Sequence, residues 1–307
     1  MFLGVFLGWD EMTAFADIFS EQNDDGVTIY YGYNKSSTTV YVTSSGSNSY
    51  SGIVNIPATI THNDTIYQVT IIRQSAFAGC TNLTSVTIPS SVKTIRDAAF
   101  QNCSQLTSVS IEEGVTDIQN NTFRNCTSLT SVTIPSSVNT IANYSFLGCS
   151  ALKSITFTTP SSVTSFGYQS FRNCASLDSI TIPSSVKSIN NNAFHNCSNL
   201  KSVTFATPSS ITAISQNTFQ NCTSLKKINI PSSVTSLGSR AFAGCTSLDT
   251  ITIPNSVTKI MDNAFSDCKS LDSITIPSSV SSMGNSVFQN CSQLTKVTFS
   301  SPSSKFH

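Results

Sequence analysis

The sequence predicts a repeat solenoid, a chain wound into stacked and nearly identical coils. Three observations predict it. The stretch FQNCTSLKKINIPSSV, residues 219–234, recurs as FRNCTSLTSVTIPSSV from Phe123, and further copies begin at Phe77, Phe100, Phe146, Phe171, Phe194, Phe242, Phe265 and Phe288. The ten cysteines, at 80, 103, 126, 149, 174, 197, 222, 245, 268 and 291, are separated by 23 residues seven times and by 25 residues twice. Within each copy, a short apolar–polar alternation such as Ser85–Ile88 has the two-residue period of a strand, and in most copies it ends at a proline. A fixed period of this size marks a repeat architecture in which one unit cannot bury its apolar face alone and must stack on its neighbours.

The elements follow in chain order. Residues 1–16 open with an apolar run, and Ala14–Ala16 has the small-x-small form of a signal-peptidase site. No Lys or Arg precedes the run, and Asp10 and Glu11 interrupt it. The segment reads as a truncated secretory signal, with an ordinary N-terminal segment packed on the first repeat as the other reading. In residues 17–51, VTIYYGYN and TTVYVTSS flank KSS, which predicts a β-hairpin cap over the open end of the first coil. From residue 52, IVNIPATI is an irregular first unit, and THNDTIYQVT is an insertion before Ile72 and Phe77 restore the register.

Residues 52–307 are then about ten units of 23 or 25 residues, F-x-[NG]-C-x-x-L-x-x-[VI]-x-I-P-x-x-V-x-x-I. Leu83, Val86 and Ile88 are expected to point inward, and Ser85 and Thr87 outward. Proline ends the strand because it has no N–H for the ladder. Val92 and Ile95 return along the other side, and AAFQNC is expected to make a brief helical or 3₁₀ turn. Asn or Gly before the cysteine suits unusual backbone angles. In the two 25-residue units the strand ends in Phe157 or Phe205, and proline moves to Pro160 or Pro208, which predicts a wider bend on the convex side; Phe299 and Pro302 repeat the variant. Glu112 and Gly114 replace the proline turn in one unit without changing its length. The last stretch, LTKVTFSSPSSKFH, begins a 25-residue unit and stops before its returning half. The expectation is an incomplete C-terminal unit, in a fragment of a longer protein or in a chain that associates through this uncapped end.

Bulk composition narrows the function. The 307 residues carry 16 Lys+Arg against 16 Asp+Glu, and only 10% are charged. Nucleic acid normally needs a basic patch, so it is not an expected partner. There is no polybasic signal for anionic membranes, and no apolar run reaches the ~18 residues of a span. Polar positions are filled mainly by Ser, Thr and Asn, which suits an extracellular protein.

The unit AFAGCTSLDTITIPNSVTKI, residues 241–260, resembles the BspA-like leucine-rich repeat, and the resemblance extends over residues 52–303. It implies a curved right-handed superhelix with a short parallel β-sheet on its concave face and short turns and strands on the convex side. It also implies surface-exposed or secreted proteins of host-associated microbes that adhere to host proteins and neighbouring cells. The family shares no catalytic residues, and its ligands differ among members.

Equivalent cysteines in stacked coils would bring Cα atoms ~4.8 Å apart, inside the ~4.4–6.8 Å disulfide window. Their Cβ atoms would stay near the coil spacing, beyond the ~3.8 Å mean of a disulfide. Pairing would pinch coils two by two, and the repeats show no such alternation. The cysteines are therefore expected to be free and buried, small apolar residues in a tight turn. Zinc needs a convergent set, whereas each cysteine is alone in its unit, and His62, His195 and His307 recur at no fixed position. No cofactor or metal is expected. His195 lies two residues from Cys197, which leaves a Cys–His pair open, but its turn position is held elsewhere by Gln, Arg, Ala, Leu or Ser.

The exposed strand positions are the candidate binding face. In the C-terminal half they are Ser179, Thr181, Ser202, Thr204, Lys227, Asn229, Thr250, Thr252, Ser273, Thr275, Lys296 and Thr298. Such hydroxyls also favour strands and keep a face soluble without any ligand. Lys227, Asn229 and Lys296 depart from the pattern, and no aromatic stripe occurs on this face. The N-x-[ST] sequons at Asn102, Asn125, Asn196, Asn221 and Asn290 fall on the repeat's own turn and are better explained by turn chemistry than by glycosylation. Two functions follow: a secreted or cell-surface adhesion module for a host or microbial protein, or a structural spacer with no ligand on the repeats. No acid/base pair or nucleophile constellation recurs, so an enzyme is not expected.

Overall fold

The alternation in each unit becomes a strand whose hydroxyls and aliphatic side chains part to opposite sides. In Ser131–Ile134 the residues are exposed, buried, exposed and buried in turn. The computed structural model describes residues 17–33, 37–46 and 48–300; the expected signal segment 1–16 and Pro302 lie outside the described residues. Strands of successive coils pair in parallel, one unit apart: Ser85 opposite Ser108, Ser108 opposite Ser131, and Ser131 opposite Ser154. The Val92 N–H donates to the Pro89 carbonyl at 3.0 Å and turns the chain. Two-residue strands on the returning side, Thr94–Ile95, Asp117–Ile118 and Thr140–Ile141, form a second parallel ladder. The result is a β-solenoid of about ten coils.

The inward side chains stack in files along the axis. Leu83, Leu106, Leu129, Leu152, Leu177, Leu200, Leu225, Leu248 and Leu271 are all fully buried. The phenylalanine rings from Phe77 to Phe288 stack with centroids 4.7–5.8 Å apart and planes within 17° of parallel. Tyr50 opens the file against Phe77 at 4.3 Å. Offset stacking adds to the area that each ring removes from water.

The expected helical or 3₁₀ turn is not present, and the hydrogen bonds give the reason. In residues 73–80 alternate N–H groups close tight turns within the coil: Ala76 to Arg73, Ala78 to Ser75 and Cys80 to Phe77. The intervening N–H groups of Ser75, Phe77 and Gly79 donate instead to Asp97, Ala99 and Gln101 in the next coil. A helix would direct all of them along its own axis. Ser75 and Gly79 take φ values of 57° and 73°, which also breaks a right-handed run. The turn is thus a third ladder between coils.

The N-terminal region holds more than one hairpin. Strands β1 (Asp17–Gln22), β2 (Thr28–Tyr33) and β3 (Thr39–Thr43) form an antiparallel sheet. β2 and β3 are the segments that flank KSS in the sequence, and β1 is an added strand. After β4 (Gly52–Asn55), the predicted insertion folds as an antiparallel pair, β5 (Thr59–His62) and β6 (Thr65–Ile72). β3 pairs in parallel with β6, which continues into the two-residue ladder. The cap and the coils therefore share one sheet. Phe19 stacks on His62 at 3.8 Å, and His62 Nδ1 meets Glu21 Oε1 at 2.7 Å, tying β1 to the β5–β6 hairpin.

The 25-residue units do more than widen a bend. At the first, the two-residue ladder is intact, with Ser165 opposite Ser188, but the sheet of longer strands ends at Ser154–Phe157 and a new one begins at Ser179–Ile182. At the second, Ser202 still pairs with Lys227, and it is the two-residue ladder that ends at Ser188–Ile189 and resumes at Ala213–Ile214. There the Ser215 hydroxyl donates to the Ile189 carbonyl at 2.6 Å in place of the main chain. The Glu112–Gly114 turn clamps neighbouring coils. Glu112 accepts from the Ser90 N–H at 3.0 Å, and Glu113 accepts from the N–H groups of Ser136 and Ser137 at 2.9 and 3.0 Å. Those bonds, chiefly from the Ser136 main chain, lower the Glu113 pKa.

Candidate functional site

The register of the longer strands gathers the predicted face into files. Ser179, Ser202, Lys227 and Thr250 stand opposite one another along four consecutive strands. Thr181 pairs with Thr204, and Asn229 with Thr252. All eight are exposed. Ser273 pairs with Lys296 and Thr275 with Thr298, but these belong to a separate two-stranded sheet. The face is thus divided after Thr250–Thr252, which the regular sequence spacing did not signal. At the edge of the first file Lys201 and Asp178 form an ion pair of 2.6 Å. Both side chains are more than half exposed, so the pair adds little stability.

The turn flank is organised by its asparagines. Asn102, Asn125, Asn173, Asn196, Asn221 and Asn290 all have φ near 60°. Asn125 Nδ2 donates to Asn102 Oδ1 at 3.0 Å, Asn196 to Asn173 at 3.0 Å and Asn221 to Asn196 at 2.9 Å. The sequon asparagines are accounted for by left-handed backbone and by an amide ladder between coils.

The thiols point inward. Cys103 Sγ donates to the Phe77 carbonyl at 3.0 Å, Cys126 to Phe100 at 3.1 Å, and the pattern continues to Cys291 and Phe265 at 3.1 Å. All ten cysteines are free, and nine are buried. Burial pushes the pKa values of Cys149, Cys197 and Cys245 up to about 12. A thiol held neutral is a poor nucleophile and a poor metal ligand. Cys197 donates to the Phe171 carbonyl at 3.2 Å and so does not pair with His195. Burial, then the Arg172 charge, lowers the His195 pKa, against a hydrogen bond to the Gln220 side chain that raises it. Among the described residues no group of three or more His, Cys, Asp or Glu could hold a metal ion, and no helix is long and apolar enough to cross a membrane.

Coils locked by internal ladders, with chemical variety carried at exposed strand and turn positions, define a repeat-scaffold protein. The chain belongs to the BspA type leucine rich repeat region family, which it matches in six copies over residues 43–159, 68–201, 118–238 and 200–307. No curated protein matches the sequence. Among solved structures, the chain is similar to a leucine rich cell surface protein of Faecalibacterium prausnitzii, at 26% identity over 93% of this chain and 96% of that one, with a TM-score of 0.48. It is similar to the leucine rich repeat protein of T. pallidum at 25% identity, over 74% and 91% of the two chains, with a TM-score of 0.51. The pneumococcal vaccine antigen PcpA shares the fold at 20% identity, over 94% and 89%, with a TM-score of 0.57.

Proposed function

We propose that this chain is a secreted or cell-surface adhesion module that binds a host or microbial protein without catalysis. The observation that carries the reading is the file Ser179–Ser202–Lys227–Thr250, an exposed array held in register by a rigid frame. Such an array offers many weak donors and acceptors over a broad face, which suits a protein partner better than a small substrate. The low charge and the Ser/Thr-rich composition support an extracellular location, and the BspA-like resemblance implies the same. The test is binding of the purified chain to immobilised host extracellular proteins and to bacterial cells. Saturable binding weakened several-fold by Lys227→Ser supports the module. No saturable binding to either favours the spacer reading, which the uniform hydroxyl pattern of the remaining coils also supports.

A further inference from the structure

The break between Ser154–Phe157 and Ser179–Ile182 opens a cleft of ≈ 430 Å³ in the exposed face. That size lies within the ~300–1,000 Å³ of small-molecule sites. Ser154 and Thr156 line it from one strand, and Ser179 and Thr181 from the other. Phe157, Pro160 and Pro183 supply the apolar part of its lining.

Three details coincide at this place. First, Phe157, like Phe205 in the other 25-residue unit, replaces the fully buried isoleucine of other coils, such as Ile134, and is only half-buried; here the ring stacks on Phe166 at 5.7 Å and lines the cleft. Second, the other 25-residue unit keeps its long-strand pairing, so the insertion alone does not open a cleft. Third, Ser185, which lines the cleft, has a buried hydroxyl with no hydrogen-bond partner. In equivalent positions Ser137, Ser233, Ser256 and Ser279 each donate to a carbonyl of the preceding coil at 2.6–2.8 Å. A buried hydroxyl without a partner is costly; Ser91 in the first regular coil is also without one, but of the two only Ser185 lines the cleft.

We propose that this cleft is a subsite for a neutral saccharide. None of its lining residues is charged, which selects against ionic ligands. Its polar groups are almost all hydroxyls, each able to donate and accept as sugar hydroxyls do. The partly exposed Phe157 ring and the prolines match the apolar C–H face of a pyranose. The site requires no protein partner, so it stands or falls independently of the adhesion reading.

The test uses the whole chain and neutral trisaccharides of glucose and galactose, followed by ligand-observed NMR and calorimetry. Saturable binding with a Kd of about 1 mM is expected. Phe157→Ile, the residue other coils use at this point, should weaken it at least about tenfold. Thr181→Val, at an exposed position, should weaken it severalfold even if Phe157→Ile folds poorly. Ser110→Ala, on the unbroken sheet, should leave it unchanged. The proposal is overturned if no neutral trisaccharide binds saturably, if Phe157→Ile and Thr181→Val both bind as tightly as the parent, or if Ser110→Ala is as damaging. A cleft that takes neutral peptides and no sugar overturns it as well.

Discussion

The thiol of Cys126 donates to the main-chain carbonyl of Phe100, 3.1 Å away and one coil earlier. The same carbonyl accepts the Cys103 N–H of its own coil at 3.3 Å. Each phenylalanine carbonyl from Phe77 to Phe265 thus has a second donor from the coil that follows. Alanine or valine there would leave that second lone pair without a partner in a buried turn. Cysteine combines small volume, apolar character and a weak donor, which accounts for its recurrence at one point of every unit.

Thiol reagents should find few targets in the native protein and close to all ten after denaturation without reductant. The inward donation to carbonyls and the burial of nine thiols motivate this. Cys291, at intermediate burial, should react first. Finding almost no titratable thiol in denaturant would mean that the cysteines are paired.

Alkali should destabilise the fold. Cys149, Cys197 and Cys245 have folded pKa values raised from 9.0 to about 12 by burial. The unfolded thiols ionise first as pH rises, so the unfolded state gains what the folded state cannot. The thiol contribution to stability is whole below pH 9.0 and is lost progressively towards about pH 12. Urea midpoints measured at neutral pH and at about pH 10.5 should differ strongly, because several thiols act together. Equal midpoints would contradict the buried-thiol ladder.

Leu177→Ala should cost about 2–5 kcal/mol, the range for a cavity that the surroundings cannot fill. Leu177 is fully buried between stacked coils. Ser179→Ala, two residues on and exposed, should change stability by about 0.5 kcal/mol or less. Denaturant unfolding of both variants checks the pair, and equal losses would reverse the assignment of the strand faces.

Asn196 separates backbone from side chain. Its φ is 62°, and its amide both donates to Asn173 and accepts from Asn221. Asn196→Gly keeps the left-handed conformation and loses the two bonds; Asn196→Ala loses the bonds and adds the left-handed penalty of ~1–2 kcal/mol. Alanine should therefore be the worse of the two by about 1 kcal/mol. If glycine and alanine are equally damaging, the amide ladder, and not the backbone, decides the residue.

Sequence made the coils legible because their determinants are local and repeated. The strand at Ser131–Ile134, the inward Leu129 and Cys126, and the left-handed Asn125 all follow from spacing and residue type. What was not legible depends on pairs of coils. The turn at Ala98–Cys103 has residues that would tolerate a 3₁₀ turn, but alternate N–H groups find carbonyls in the next coil. Strand β1 shows no strong alternation, and it forms because β2 offers it an edge. The two 25-residue units look alike in sequence, yet only the first parts Ser154–Phe157 from the strand after it. The positions of the predicted face are exposed, but its division after Thr252 and the cleft beside Ser179 arise from sheet continuity, which no single unit encodes.

Two glycines should respond to substitution for opposite reasons. A Cβ at Gly167 would lie 2.5 Å from the Ala142 carbonyl carbon and 2.6 Å from the Asn143 nitrogen, both main-chain atoms of the preceding coil. Gly167 itself donates to the Ile141 carbonyl at 2.8 Å, so the two coils are already at hydrogen-bonding distance and cannot part cheaply. Gly79 has open space around it but a φ of 73°. Its equivalents Asn102 and Asn125 hold the same conformation with a side chain. Gly167→Ala should therefore cost about 1–3 kcal/mol through overpacking, and Gly167→Asn should be worse, because a larger side chain meets the same backbone. Gly79→Ala should cost about 1–2 kcal/mol through the left-handed conformation, whereas Gly79→Asn should recover most of it, since asparagine visits that region more readily. Thermal and denaturant unfolding of the four variants measures both series. The opposite ordering of alanine and asparagine at the two sites is the signature of steric contact at one and backbone conformation at the other, and the same ordering at both would refute the contact assigned to Gly167.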